Sequence, residues 1–241
     1  MLILNSLKDL AKLDVPLHLA LGVFDGVHVG HQAVIARVVN AAAREGGLAG
    51  MLTFEPHPIR VIAPNKAPKA LLETLSHKAR TVLDLGVQLF ISIHFDEKFA
   101  QMEAADFIQQ LMAAPVKTIA VGEDWRFGHN RSGDVKFLAT EALCHNFKLE
   151  AVAPVMHDGE RISSTRIRQA IRDGNLDAAA QMLGRTYAVS GIVIEGKKLG
   201  KTIGFPTANL ETIDAQLPPD GVWAVQVRLP NGVYQNGVAN L

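Results

Sequence analysis

The chain has 241 residues, 48% of them hydrophobic, which suits one or two domains with enough apolar material for a sizeable core. Its 24 Lys and Arg residues balance 24 Asp and Glu residues, so no global field favours nucleic acid or an acidic membrane surface, and any anion site must be local. Met1 to Leu10 lack a basic flank followed by a long apolar core, and no later stretch reaches about 18 apolar residues. The expectation is a cytoplasmic protein with no membrane or nucleic-acid partner; self-association is left open.

In chain order, Leu17 to Val23 reads as a buried strand and His31 to Arg44 as a helix. Between and across them runs Gly22-Val23-Phe24-Asp25-Gly26-Val27-His28-Val29-Gly30-His31. Glycines at 22, 26 and 30 allow a tight turn and close backbone approach to a ligand. His28 and His31 lie three apart, on one face of the first helical turn, where free N–H groups and the helix dipole point the same way. Phosphate is the natural guest. An ordinary strand-to-helix turn with two polar histidines would also contain His-x-x-His; the glycines and Asp25 favour the anion site.

Gly50 to Phe54 reads as the next strand, and Thr53-Phe54-Glu55-Pro56-His57-Pro58 follows it with two prolines that stiffen a loop. That loop could wall an aromatic ligand or be a plain turn. Ser76 to Leu85 and Ala104 to Met112 read as helices around a strand at Gln88 to Ile93, and Thr118 to Val121 as a further strand. The segment Val121 to Gly133 mixes aromatic, basic and glycine residues. Its Trp125 and Phe127 fit core anchors, or walls of a base pocket in which Arg126 or Arg131 meets phosphate. Val135 to Asn146 reads as a helix, with Cys144 a buried structural thiol, and Leu149 to Val152 as a strand. Alternation of this kind predicts a parallel sheet covered by helices, with ligands beyond the carboxyl ends of the strands.

Arg161-Ile162-Ser163-Ser164-Thr165-Arg166-Ile167-Arg168 leads into a helix read over Ser164 to Arg172. Ser163 or Ser164 suits an N-cap, but three hydroxyls with three arginines exceed what a cap needs. Arg168, one turn in, could neutralise a phosphate chain gripped by the helix N-terminus. A last helix, Asn175 to Leu183, closes at Gly184, and the pattern then changes to strands at Tyr187 to Ile194, Val222 to Leu229 and Val233 to Leu241. Pro230-Asn231-Gly232 reads as a hairpin turn. The second region is all-β and marginal in size, and it ends in strand-like residues, which predicts an incomplete, truncated barrel.

The segments Gly22 to His31, Thr53 to Pro58, Gly122 to Gly128 and Ile162 to Arg168 occur in the order seen in bacterial bifunctional riboflavin kinase/FAD synthetases. Gly200-Lys201-Thr202-Ile203-Gly204-Phe205-Pro206-Thr207-Ala208-Asn209-Leu210 resembles the flavin-kinase signature of the same family. The resemblance spans essentially the whole chain. It implies a Rossmann-like FMN adenylyltransferase at residues 1–184, joining FMN and ATP into FAD with release of pyrophosphate, and the N-terminal part of a riboflavin kinase barrel at 185–241. No protein nucleophile is implied, because the FMN phosphate can attack the ATP α-phosphorus directly.

By that resemblance His28, His31 and Arg168 are the catalytic set, and Gly22, Phe24, Asp25, Gly30, Asp124, Ser164 and Thr165 bind ATP. Phe54, Pro56, Pro58 and Phe127 bind flavin, while Trp125 stands where the family commonly has Phe. On the kinase side Gly200, Lys201 and Gly204 cradle phosphate, and Thr207 and Asn209 supply hard ligands for Mg²⁺. The family's kinase module continues further and holds its acidic general base there, so the sequence predicts adenylyl transfer without competent riboflavin phosphorylation; Glu211 is not promoted to that role. Two other readings remain: a nucleotidyltransferase for another phosphorylated acceptor, and a non-catalytic flavin or nucleotide binder.

Overall fold

The computed structural model describes residues 1–196, 204, 207–212 and 214–241. The chain opens with Leu2–Leu4 (β1), Leu7–Leu10 (α1), Leu17–Leu21 (β2), Val29–Glu45 (α2), Leu48–Glu55 (β3), Pro58–Ile62 (α3), Leu75–Asp84 (α4) and Leu89–His94 (β4). Glu97–Ala100 (α5), Ala104–Leu111 (α6), Val116–Gly122 (β5), Val135–His145 (α7) and Lys148–Val152 (β6) follow. A short hairpin, Met156–His157 (β7) with Glu160–Arg161 (β8), leads into Ser164–Arg172 (α8) and Leu176–Leu183 (α9).

The first six strands form one sheet in the order β1-β4-β3-β2-β5-β6, with every pair parallel. Strand β2 lies fully buried between β3 and β5. The chain therefore runs outward on both sides of β2, and the gap between the ends of β2 and β5 is where ligands settle in such sheets. Side chains alternate across β2. Leu19 and Leu21 join Ile108 and Leu111 of α6 on one face, while Ala20 joins Val34 and Ile35 of α2 and Val82 of α4 on the other. The one polar residue of β2, His18, is satisfied: Nδ1 lies 2.9 Å from the Thr118 hydroxyl and Nε2 3.0 Å from the Gly46 carbonyl.

A third cluster joins Leu72 to Ile162, Ile167, Ile171, Met182 and Leu183, and so holds α8 and α9 against the sheet unit. The remaining strands are Ile192–Ile194 (β9), Asn209–Glu211 (β10), Val222–Arg228 (β11) and Tyr234–Asn240 (β12). They pair as two small antiparallel sheets, β9 with β10 and β11 with β12, the latter joined at the predicted turn. Among the described residues the buried hydrophobic set ends at Leu183. The strand expected from Tyr187 begins only at Ile192, because Tyr187 turns inward and its hydroxyl donates to the Gln216 carbonyl at 2.6 Å.

One strand was not foreseen and one burial expectation needs correction. Leu2–Leu4 is an edge strand that three residues were too few to reveal. Cys144 is exposed, because α7 turns Leu138 to the core and leaves Leu143 and Cys144 facing solvent.

Candidate active site

At the end of β2 the Gly22 N–H bonds to the Leu52 carbonyl at 3.2 Å, and the chain then turns through positive φ at Phe24 (53°), Gly26 (83°) and Val27 (36°). Phe24 folds back and is buried against Gly22, where an added Cβ would meet its ring at 3.1 Å. At Gly26 a Cβ would sit 2.6 Å from the Leu72 side chain, so only glycine combines that φ with that approach.

His28 is the N-cap of α2. Its Nδ1 accepts from the His31 N–H at 3.3 Å, and the two rings stack with centroids 3.5 Å apart at 16°. Phe24 meets His31 edge-on at 5.2 Å. The Nδ1 of His31 is buried with no hydrogen-bond partner. Burial first, then the positive charges of Arg161 and Arg185, push His28 down to about 4. Burial, His28, Lys78 and two arginines hold His31 well below its usual range. Both shifts favour the neutral rings, and the helix end supplies the positive field.

Asp25 hydrogen-bonds to neither ring. Its buried carboxylate accepts from the Leu72 N–H at 3.0 Å and pairs with Arg168, whose Nε donates to the Ala70 carbonyl at 2.9 Å. In this structure Arg168 is thus held by Asp25 and the Ala70 carbonyl, and it braces the loop. Ser163 is the N-cap of α8, which frees Ser164 to donate its hydroxyl to the Asp25 carbonyl at 2.8 Å. Thr165 is exposed in the first turn of α8. Arg161 pairs with Asp124 at 2.6 Å and holds that carboxyl below its usual range. Arg166 donates to the His157 and Glu160 carbonyls, so each of the three arginines has a protein partner.

A residue on α4 escaped sequence reasoning. Lys78 of α4 is buried, and its Nζ donates to the Val23 carbonyl at 2.9 Å and lies 3.5 Å from the Thr53 hydroxyl, which itself donates to Val23. Its signal was positional, since Lys78 and Val82 share the core-facing side of α4.

Of the residues expected to bind flavin, Phe54 and Phe127 are buried in an aromatic train, Phe54 against Phe95 and Phe99 at 5.7 and 5.8 Å, and Phe127 stacked under Trp125 at 4.4 Å. Pro56 and Pro58 are half-buried, with Pro58 opening α3 beneath a His57 cap. Arg126 is committed to Asp134 at 2.5 Å. On the kinase side Gly200 and Lys201 lie outside the described residues; Gly204 has φ 84°, and Thr207 and Asn209 are exposed. The Asn209 amide crowds Gly196, where a Cβ would be 2.0 Å from it.

The His28 environment makes stability pH-dependent. Its folded value of about 4 lies below the ordinary 6.5, so the unfolded chain binds more protons between those values. The contribution is complete above about pH 6.5 and is lost as pH falls through about 4. Urea titrations should show the wild-type midpoint falling over that window. His28→Asn, which keeps a capping acceptor without a titrating ring, should flatten the fall; an unchanged slope would exclude His28 as its source.

Comparison with known proteins places this arrangement. The FAD synthetase family model matches residues 11–166, and the riboflavin kinase family model matches 183–241. The bifunctional riboflavin kinase/FMN adenylyltransferase of Escherichia coli (strain K12) is 39% identical over 225 residues, covering 92% of this chain and 72% of the relative. The protein of that description from Bacillus subtilis (strain 168) is 36% identical over 225 residues, covering 92% and 71%. A solved structure described as a macrolide-efflux protein from Streptococcus pneumoniae superimposes with TM-score 0.86 at 30% identity, covering 99% of this chain and 78% of that one. Among the described residues no helix is long and apolar enough to cross a membrane. The loop, the two helix ends and these relatives converge on one assignment: the chain belongs to the bifunctional riboflavin kinase/FMN adenylyltransferase family of flavin cofactor biosynthesis.

Proposed function

We propose that this chain transfers the adenylyl group of ATP to the phosphate of FMN, giving FAD and pyrophosphate, at the carboxyl ends of β2 and β5. The observation that carries the reading is the stacked His28–His31 pair on the N-terminus of the 17-residue α2, with the His31 Nδ1 left without a partner. A phosphate oxygen of FMN attacks the α-phosphorus, the bond to the pyrophosphate oxygen breaks, and charge passes to the leaving pyrophosphate. No side chain needs to act as nucleophile, so catalysis rests on alignment and charge stabilisation.

In this reading His28 and His31 hydrogen-bond the phosphates, and an arriving polyanion favours their protonated forms. Gly22 and Gly30 leave room for the Phe24 and His28 rings that shape the ATP site, Phe24 backs the His31 ring, and Thr165 faces the phosphates from α8. Ser164, Asp25 and Arg168 keep the two helix ends in register, and Asp124 is held as a carboxylate beside the nucleotide. Pro56 and Pro58 form the flavin wall, backed by the buried Phe54 and Phe127, with Trp125 stacked on Phe127. Residues 1–184 form the adenylyltransferase unit and 185–241 belong to the kinase side. ATP as co-substrate suits a cytoplasmic enzyme.

Mg²⁺ fits the neutral oxygen donors of Thr207 and Asn209, which are exposed and leave its other positions to phosphate and water. Bound there, it would neutralise phosphate charge on the kinase side. Assays with FMN plus ATP and with riboflavin plus ATP separate the two activities. FAD and pyrophosphate should appear together from FMN, and Asn209→Ala should leave that rate unchanged. Pyrophosphate release only with a different phosphorylated acceptor would overturn the flavin assignment, and FMN binding without pyrophosphate would overturn catalysis.

A further inference from the structure

Arg185 follows Gly184, the left-handed cap of α9, and lies within the stretch matched as riboflavin kinase. Its guanidinium nevertheless reaches into the histidine-bearing loop. Nη2 donates to the Gly26 carbonyl at 2.8 Å and Nη1 to the Val27 carbonyl at 3.1 Å. The fork is completed by the Leu183 carbonyl at 3.3 Å and Glu73 Oε2 at 3.2 Å. The two loop carbonyls belong to consecutive residues at positive φ, 83° and 36°, and the second is a β-branched valine for which that conformation is strained. Such a turn persists only where its surroundings over-determine it. Here the determinants are Arg185 and Gln32, whose Nε2 bonds to Val27 and Leu183 carbonyls at 2.9 and 2.7 Å. Val27 is followed directly by His28, so the direction of its peptide fixes how His28 enters α2 and where the stacked pair stands.

We infer that Arg185 is a positioning residue for adenylyl transfer, supplied from the kinase side of the chain and acting through the Gly26 and Val27 carbonyls on His28 and His31. The inference rests on the adenylyl-transfer reading above and moves the edge of that unit past residue 184. It makes the loop answerable to whatever displaces the start of the second region.

A purely structural role is the competing account. Glu73 has a fully buried side chain, its Oε1 has no hydrogen-bond partner, and burial pushes it up to about 7 despite Lys78 and Arg185 nearby. Arg185 could then serve only to compensate that charge. The His77 ring, 3.6 Å from Glu73, faces the same carboxylate.

The experiment uses the full chain and compares wild type, Arg185→Lys, Arg185→Met, Glu73→Gln and the Arg185→Met/Glu73→Gln double variant. Each is assayed for FAD formation from FMN and ATP, for thermal midpoint, and for the NMR ring signals of His28 and His31. Glu73→Gln should leave kcat and the ring signals near wild type. Arg185→Met should lower kcat on the order of tenfold to a hundredfold, the loss expected of a small misplacement of catalytic groups, with a smaller change in the ATP KM. The double variant, freed of the unpaired acid, should recover the thermal midpoint but neither kcat nor the ring signals. Arg185→Lys should recover part of kcat.

A double variant with wild-type kcat and ring signals would overturn the inference and leave Arg185 a counter-charge. Absence of FAD formation in wild type would instead overturn the adenylyl-transfer reading, and the ring signals alone would then decide whether Arg185 places the histidines.

Discussion

His31→Ala is expected to slow FAD formation from FMN and ATP by about 10²-fold or more, the loss associated with removing one preorganised donor from a developing charge. The reason lies in the free state. The His31 Nδ1 is buried without a partner, while the ring is fixed on one side by stacking on His28 and on the other by the edge of Phe24. A buried polar atom left without a partner is costly, and a site that tolerates one is arranged for a ligand to satisfy it. The ring is already oriented, so little reorganisation is needed when the phosphates arrive. Steady-state kinetics provide the check: kcat should fall much further than the ATP KM rises, because the contact strengthens as charge develops. An unchanged kcat would remove His31 from the mechanism.

Asp25→Ala carries the largest expected effect on stability, about 3–5 kcal/mol, the range for breaking a buried ion pair by removing one partner. Asp25 and Arg168 side chains are only 4% and 8% exposed, so solvent cannot take over the abandoned guanidinium. The Leu72 N–H loses its acceptor in the same step. Asp25→Ala/Arg168→Met, which removes both charges, should recover most of the loss in urea midpoint. A cost under about 1 kcal/mol for Asp25→Ala would mean that the pair is no brace, and would return Arg168 to the phosphate role its sequence position suggested.

That contrast shows where sequence reasoning reached and where it stopped. The parallel sheet was legible because β2, β3 and β4 are apolar runs, β2 closed by Gly22 and β3 by Pro56, and α8 began at the predicted Ser164 because Ser163 is a good cap. The two helix ends of the site followed from the same signals. Pairings between distant residues did not. Arg168 meets Asp25 from 143 positions away, and no local pattern announces such a partner. A hint existed, since Ile167, Arg168 and Ile171 share the buried face of α8, just as Lys78 and Val82 share that of α4. A cation at a core-facing position has to be met by something inside. Cys144 misled for the converse reason: a residue type that is usually buried sat off the apolar face of α7.

The edge strand β1 bears on how the chain is made. Leu2 to Leu4 pair with Leu89 to Ile91 of β4, not with any strand near them in sequence. At ribosomal rates of about 5–20 residues per second, β1 waits several seconds for its partner to be synthesised. Throughout that interval Leu2 and Ile3, still half exposed in the finished fold, have no ladder to join. Strand β1 is therefore made before β2 and β3 but joins the sheet only after both, once β4 has followed them, and a chaperone that recognises short apolar segments would find it accessible in the interval.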